Sequence, residues 1–273
     1  MKILVTGADE FVGRHLCREL LSAGHLVKES VNCDFSSLTT SVQSHEPEVV
    51  IHAAGLYDTS DLIHVNAELA KTVATVVAAH GARLVYLSTA EVYADVGDAL
   101  CYESSTPLKP RHLGPMTRLW GEQVCELVAP ERLLILRLEG VYGPGSSSLP
   151  VRMIQDLVAN DDVAATLNAE SRGRAWCYVS DAARAIRIVT ERGLGATASN
   201  VYNISRDDLY VSAGNLARVV HLAINGVDNT EVAHGIFRRV SSARLRSLGW
   251  TPTVGIEEGL RFTYESMREK VSA

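Results

Sequence analysis

The sequence predicts an α/β protein, a doubly wound parallel sheet with helices on both faces and a smaller C-terminal lobe. Three observations predict it. Short apolar runs alternate with longer helical patterns from Ile3 to Arg137, the rhythm of strand–helix–strand units. The first run, Ile3 to Val5, turns through glycines into a helical pattern. The rhythm loosens after Gly143-Pro144-Gly145-Ser146-Ser147-Ser148. Right-handed crossovers wind such a sheet on both sides and leave a crevice at the carboxyl ends of its strands.

Taken in order, Ile3 to Val5 is a strand and Val12 to Ala23 a helix ended by Gly24. Leu26 to Val31 is a second strand, and Ser37 to Ser44 a helix stopped near Pro47. Val49 to His52 is a strand running into Ala53-Ala54-Gly55. Leu62 to Ala79 has broad apolar faces and ends at His80-Gly81. Leu84 to Ser88 is a strand, Met116 to Val128 a helix and Leu133 to Arg137 a strand. A helix over Pro150 to Asn160 and short strand-like pieces follow, then helices over Asp181 to Arg192, Ser212 to Ile224 and Ile256 to Lys270. We divide the chain into a sheet domain, 1–150, on which helix 181–192 also packs, and a lobe, 151–273.

The bulk numbers narrow the function. With 273 residues the chain buries a substantial core, and 47% hydrophobic and 21% charged residues are ordinary for a globular protein. The net charge of −6 argues against nonspecific nucleic-acid binding and gives no reason to invoke a membrane surface. No apolar run reaches the ~20 residues of a bilayer span, and with the first strand starting at once no signal peptide is expected. Five scattered cysteines (Cys17, Cys33, Cys101, Cys125, Cys177) form no Cys-x-x-Cys pair, so neither a zinc site nor a disulfide framework is expected. A reducing cytoplasm is the expectation.

The first turn carries chemistry. Val5-Thr6-Gly7-Ala8-Asp9-Glu10-Phe11-Val12-Gly13 has the outline of a phosphate-binding loop, with Glu10 where the middle glycine belongs. The first glycine allows the tight turn, the second lets backbone approach a pyrophosphate, and the third lets helix pack on strand. The helix N-terminus attracts the phosphate charge. Gly7 and Gly13 keep the first and third jobs, whereas Glu10 sets a carboxylate where the pyrophosphate lies. Like charges a few ångströms apart in a partly dry site cost on the order of several kcal/mol. At the tip of the second strand Glu29, Ser30 and Asn32 are the candidates that sort NAD from NADP, and they leave the choice open.

Further stretches carry a resemblance: Cys33-Asp34-Phe35, Pro47-Glu48-Val49-Val50-Ile51-His52-Ala53-Ala54-Gly55, Asn66, and Leu87-Ser88-Thr89-Ala90-Glu91-Val92-Tyr93-Ala94-Asp95. Leu136-Arg137 through Val141-Tyr142-Gly143-Pro144-Gly145 adds to it. So do Arg174-Ala175-Trp176-Cys177-Tyr178-Val179-Ser180-Asp181 and Gly249-Trp250-Thr251-Pro252. With these, the chain resembles the extended short-chain dehydrogenase/reductases, the NAD-dependent epimerase/dehydratase family, and within it the dTDP-4-dehydrorhamnose reductases. The resemblance runs nearly end to end. It implies a Rossmann domain, an NAD or NADP cofactor, a small-molecule substrate such as a sugar nucleotide bound by the C-terminal lobe, and a homodimer made through two helices.

The resemblance also implies a proton relay in which a Tyr acts as acid or base, its pKa lowered by a Lys four residues on, beside a Ser or Thr hydroxyl. Thr89 matches the hydroxyl. From Pro110 to Glu122 the pattern aligns without a gap, and it puts Gly114 at the Tyr and Arg118 at the Lys. Glycine has no proton to give, and Arg keeps a cation that binds differently. The dehydratase-type acid after the Thr is Ala90, with Glu91 next to it, and the substrate-facing position before Val141 is Gly140.

The expected catalytic residues are therefore Thr89, Glu91 and Arg118. Those for the cofactor are Gly7, Glu10, Phe11, Val12, Gly13, Asp34, Phe35, Ala53, Ala54, Gly55 and Arg118. Those for the substrate are Thr89, Gly114 and Arg174, the last suited to phosphate groups by its planar, bidentate donors. No metal site is expected. Tyr93 and His112 are weighed as substitute proton donors, against packing and a solvated loop respectively. Three readings stay open: a redox enzyme with a substitute acid, a repurposed isomerase, lyase or cyclase, and a silent binding or sensor protein.

Overall fold

The structure, a computed structural model, describes all residues except 32–33, 56–60, 98, 161–172, 196–199, 226–238 and 273. In chain order the first half contains β1 (Lys2–Thr6), α1 (Phe11–Ser22), β2 (Leu26–Ser30), α2 (Phe35–His45), β3 (Val49–His52), α3 (Leu69–Ala79), β4 (Arg83–Thr89), β5 (Leu100–Cys101), α4 (Leu113–Val128) and β6 (Leu133–Leu138). The second half contains β7 (Val141–Tyr142), α5 (Leu149–Asn160), β8 (Cys177–Tyr178), α6 (Val179–Arg192), β9 (Val201–Ile204), α7 (Ala213–Asn225), β10 (Arg239–Val240), α8 (Ala243–Ser247) and α9 (Ile256–Ser272).

Six strands form one sheet in the order β2-β1-β3-β4-β6-β9, every neighbouring pair parallel. The expected doubly wound α/β fold is present. The period of two along β1 shows how the layers are held: Ile3 and Val5 enter one apolar cluster and Leu4 the other. The first cluster joins the sheet to Leu16 and Leu20 of α1 and to Ile186 and Val189 of α6. The second joins it to Leu38 and Val42 of α2, Val73 and Val77 of α3, and Cys125 of α4. A third cluster, with Met153, Ile154, Leu216, Val220 and Leu260, holds α5, α7 and α9 together.

After β1 the chain places β2 on one side and then β3 on the other. The strand order reverses there, which is where sheets of this kind bind ligands. The loop of Gly7 to Glu10 and the segment Ala53-Ala54-Gly55 flank that point. Trp250, fully buried, donates from Nε1 to the Asp181 carbonyl at 3.0 Å. The Asp181 carboxylate accepts from the N–H groups of Thr253 and Val254 at 2.9 Å, tying the C-terminal segment to α6.

Three local features differ from expectation. α4 begins at Leu113, ahead of Met116, because Pro115 lies in its first turn, where a missing N–H costs nothing. The apolar segment 62–79 contains a π-turn, His64–Glu68, before α3. The strand β9, which returns to the sheet beside β6, is too short and too mixed to read from pattern. Elsewhere the helices and strands agree with the sequence reading to within one or two residues at most ends, the usual scatter of boundaries.

Candidate active site

Gly7 sits at φ +70°, and a Cβ there would lie 2.5 Å from the Ala54 nitrogen. Its N–H donates to the Ser30 carbonyl at 2.9 Å. A Cβ at Gly13 would lie 2.0 Å from the Gly7 carbonyl oxygen. Only glycine satisfies either position, so the turn and the close strand–helix contact are both built. Phe11 and Val12 open α1 half-buried, and the Phe11 ring meets His15 edge-on at 5.7 Å.

Glu10 is the N-cap residue of α1 but caps nothing on its own helix. Its carboxylate reaches across to the end of β3, where both oxygens accept from the Gly55 N–H at 3.1 Å. Burial lifts the Glu10 carboxyl above its ordinary range, against the pull of the Gly55 N–H and the Arg118 charge, and Asp9 adds to the rise. The carboxylate thus spans the gap between the glycine turn and Gly55.

Arg118 enters from α4 and is buried. Its Nη1 donates to the carbonyls of Ala54, at 3.1 Å, and Leu87, at 2.9 Å. A planar cation clamps the carboxyl-terminal ends of β3 and β4. Gly55 makes room for it, since a Cβ there would fall 1.7 Å from Arg118 Nη2. Beneath it His52 is fully buried and shares a 2.7 Å hydrogen bond from Nδ1 to Thr6 Oγ1. Burial, helped by the Arg118 charge, pushes His52 down to about 3, so the ring stays neutral.

Position 114 is a buried glycine in the first turn of α4. Asn66 in the π-turn donates to Thr117 Oγ1 at 3.0 Å, and Thr117 Oγ1 donates to the Gly114 carbonyl at 2.8 Å. Tyr86 adds a hydrogen bond to the Asn66 carbonyl at 3.1 Å. This chain of contacts fixes the helix that presents positions 114 and 118 to the crevice.

Thr89 ends β4, buried, and its Oγ1 accepts from the Glu91 N–H at 3.2 Å. Its own proton remains available to donate. Glu91 pairs with Arg174 at 2.5 Å, and the buried Glu139 stands 3.5 Å from the same guanidinium. Arg174 is held by a backbone bridge to Val211. The structure thus brings Thr89, Glu91 and Arg174 together at one end of β4, and Glu10, Gly55 and Arg118 together at the end of β3. Glu139 was missed by sequence reasoning. Its signal, a lone carboxylate after the apolar run of β6, was there to find.

Five other positions find their places. Asp34 caps α2, accepting from Ser37 N–H at 2.9 Å and Ser36 Oγ at 2.7 Å, and these bonds hold its carboxyl down to about 2. Phe35 is exposed beside it, while Cys33 and Asn32 lie outside the described residues. Tyr93 is buried, donating to Asn203 Oδ1 at 2.7 Å and accepting from Arg137 Nη1 at 3.1 Å. Burial pushes its phenol up to about 12 despite Arg137, which suits packing and not proton transfer. His112 is an exposed residue at the N-cap of α4. Gly140 has φ +59°, and a Cβ would lie 2.6 Å from the Ala175 carbonyl oxygen, which explains the glycine there. Among the described residues no cluster of three His, Cys, Asp or Glu side chains is placed to hold a metal.

Residues 3–205 match the NAD dependent epimerase/dehydratase family, and the chain belongs to that family. It is similar to the spore coat polysaccharide biosynthesis protein SpsK of Bacillus subtilis, 28% identical over 56% of this chain and 58% of SpsK. It is also similar to GDP-mannose 3,5-epimerase 1 of Oryza sativa subsp. indica, 21% identical over 99% of this chain and 82% of that protein. Its fold superposes on the UDP-glucose 4-epimerase of Thermus thermophilus, solved with NAD, with a TM-score of 0.81. That match has 20% identity and covers 98% of this chain and 99% of the other.

The glycine turn, the helix N-terminus and the Ala53-Ala54-Gly55 edge fit a dinucleotide's pyrophosphate. The Glu10 carboxylate, as it lies on Gly55, does not.

Proposed function

We propose that this chain is an NAD(P)-dependent enzyme acting on a sugar nucleotide or a similar polyol or ketone, with Glu91 in place of the usual phenol as proton carrier. The observation that carries this reading is the grouping of Thr89, Glu91 and Arg174 at the end of β4, with Glu91 2.5 Å from Arg174. The bound dinucleotide supplies the hydride donor or acceptor. Thr89 donates its hydroxyl proton to a substrate oxygen and steadies it. At rest Glu91 is paired with Arg174. A phosphate-bearing substrate competes for Arg174, because a planar guanidinium takes phosphate in two parallel hydrogen bonds. The displaced Glu91 would then accept the proton of the substrate hydroxyl. Arg118 positions the ends of β3 and β4 and adds a fixed positive charge to the crevice.

The test is turnover of UDP-, GDP- and dTDP-hexoses with NAD or NADP, followed by cofactor absorbance and product analysis, in wild type and Glu91→Gln. No turnover in any combination sinks the reading. A second reading, non-redox chemistry or binding alone in the same crevice, is favoured by the Glu10 carboxylate on Gly55. Product formation with no hydride moving from labelled cofactor selects it.

We further propose a homodimer through α4. Leu113, Trp120 and Leu127 recur every seventh residue and are 51%, 39% and 84% exposed, an apolar stripe along one face of the helix.

A further inference from the structure

We propose that Glu10 is an internal anion that stands in the pyrophosphate's place and must release the Gly55 N–H before a dinucleotide binds, so that this one side chain sets how tightly the crevice holds its cofactor. The inference rests on the NAD(P) reading above and deepens it.

The geometry makes the side chain more than an obstruction. The N-cap position leaves the carboxylate free to bond its own helix, the common use of an acid there, yet it turns away and bonds Gly55 with both oxygens. It therefore occupies a backbone donor just beyond the end of β3. Arg118 comes from α4 to the other side of Gly55 and attracts the carboxylate from there. The arrangement is an anion held by one N–H and one cation, the same kind of donor set a phosphate would use.

Binding a dinucleotide then exchanges one anion for another. The incoming pyrophosphate gains the helix N-terminus and displaces Glu10, and the carboxylate's lost Gly55 contact is subtracted from the affinity. Protonating Glu10 removes its negative charge and weakens its competition, so affinity rises as pH falls. The charged and titratable groups around it are Asp9 on the same loop, Arg14 on α1, whose guanidinium donates to the Asp9 carbonyl, Arg118 on α4, and His52 on β3 beneath Arg118. Burial holds His52 neutral, and burial raises the Glu10 carboxyl toward protonation.

The experiment is calorimetric titration of the full chain with NAD and NADP between pH 5.5 and 8, in wild type, Glu10→Gln and Glu10→Gly. The Gly55 amide signal is followed by NMR in the same proteins, and thermal melts confirm folding. The expected result is that Glu10→Gly binds at least tenfold more tightly than wild type and Glu10→Gln lies between. Wild-type affinity should rise toward acid while both variants stay flat. The Gly55 amide should shift on Glu10→Gln without ligand and on dinucleotide addition to wild type. If wild type binds as tightly as Glu10→Gly with no pH slope, the internal-anion proposal is overturned while the NAD(P) reading stands. If none of the three binds either dinucleotide, the NAD(P) reading falls and takes this proposal with it. An unshifted Gly55 amide in Glu10→Gln overturns the contact itself.

Discussion

At the scale of single residues the site is a set of exchanges. Under our reading a carboxylate, Glu91, replaces a phenol, a guanidinium, Arg118, replaces a lysine, and Glu10 replaces a loop glycine. Each substitution has found partners. Arg118 has two strand-end carbonyls, Glu91 has Arg174, and Glu10 has Gly55. Under our reading Glu91→Gln lowers kcat by about 10²–10⁴-fold, the usual worth of one acid–base group, with KM for the nucleotide cofactor unchanged in steady-state assays. Replacing Arg118 by Met leaves two buried carbonyls without a charged donor and costs about 1.5–3 kcal/mol in urea unfolding. It also removes one cause of the depressed His52 basicity, so less stability is lost on acidification than in the wild type. At Gly140 an Asn meets both the positive φ and the Ala175 carbonyl. That change lowers the melting temperature; an unchanged melt would show that the 140–175 contact relaxes freely.

At the scale of elements, α4 does most to place the site. One face carries Gly114 and Arg118 to the crevice, Gly121 lets the helix close on the sheet, and the Asn66–Thr117 pair fixes its first turn. A Cβ at Gly121 would fall 2.1 Å from Tyr86 Oη and 2.4 Å from the Asn66 carbonyl oxygen. Gly121→Ala therefore costs about 1–3 kcal/mol as an overpacked contact, read as a lower urea midpoint with an unchanged slope. Most of this framework was legible in the sequence. Periodicity finds α1, α3 and α4 because each buries one face, and short unbroken apolar runs find the central strands because those are buried on both; positions 114 and 118 are singled out by the family resemblance from Pro110 to Glu122. What was not legible depends on contacts between distant segments. Nothing in the local sequence says that Glu10 turns to Gly55, that Arg118 bends to Ala54, or that Arg174 finds Glu91. The π-turn is likewise a response to Tyr86 and α4, and Leu62–Ala79 alone reads as an unbroken helix.

At the scale of the whole molecule, charge buried at the sheet's carboxyl end ties stability to pH. His52 takes a proton near 6.5 in the unfolded chain but only near 3 in the fold. The unfolded state therefore binds more protons, and this contribution is complete above about pH 6.5 and lost as pH falls toward about 3. Urea unfolding of wild type and His52→Gln at pH 7.5, 6, 5 and 4 checks it. The wild type should lose stability faster across that series, and parallel losses would assign acid sensitivity elsewhere. The apolar stripe on α4 predicts a second-order property of the same molecule. Leu127→Glu together with Trp120→Glu should convert the sedimentation behaviour from dimer to monomer without unfolding, and a wild-type monomer at tens of micromolar would remove the dimer.

The sheet is completed late. β9 lies beside β6 but is separated from it along the chain by β7, α5, β8 and α6, so a ribosome-bound chain that has made everything through residue 195 has an unfinished border. That border is Leu133–Leu138, a run with five apolar residues and one arginine, Arg137, facing whatever strand it meets first. An unpaired apolar edge of this kind recruits other chains. A product ending at residue 195 should accumulate as aggregate, and one ending at residue 210 should be more soluble when compared by sedimentation after expression. Synthesis that stalls between those two points is then a hazard to the cell as well as a lost protein.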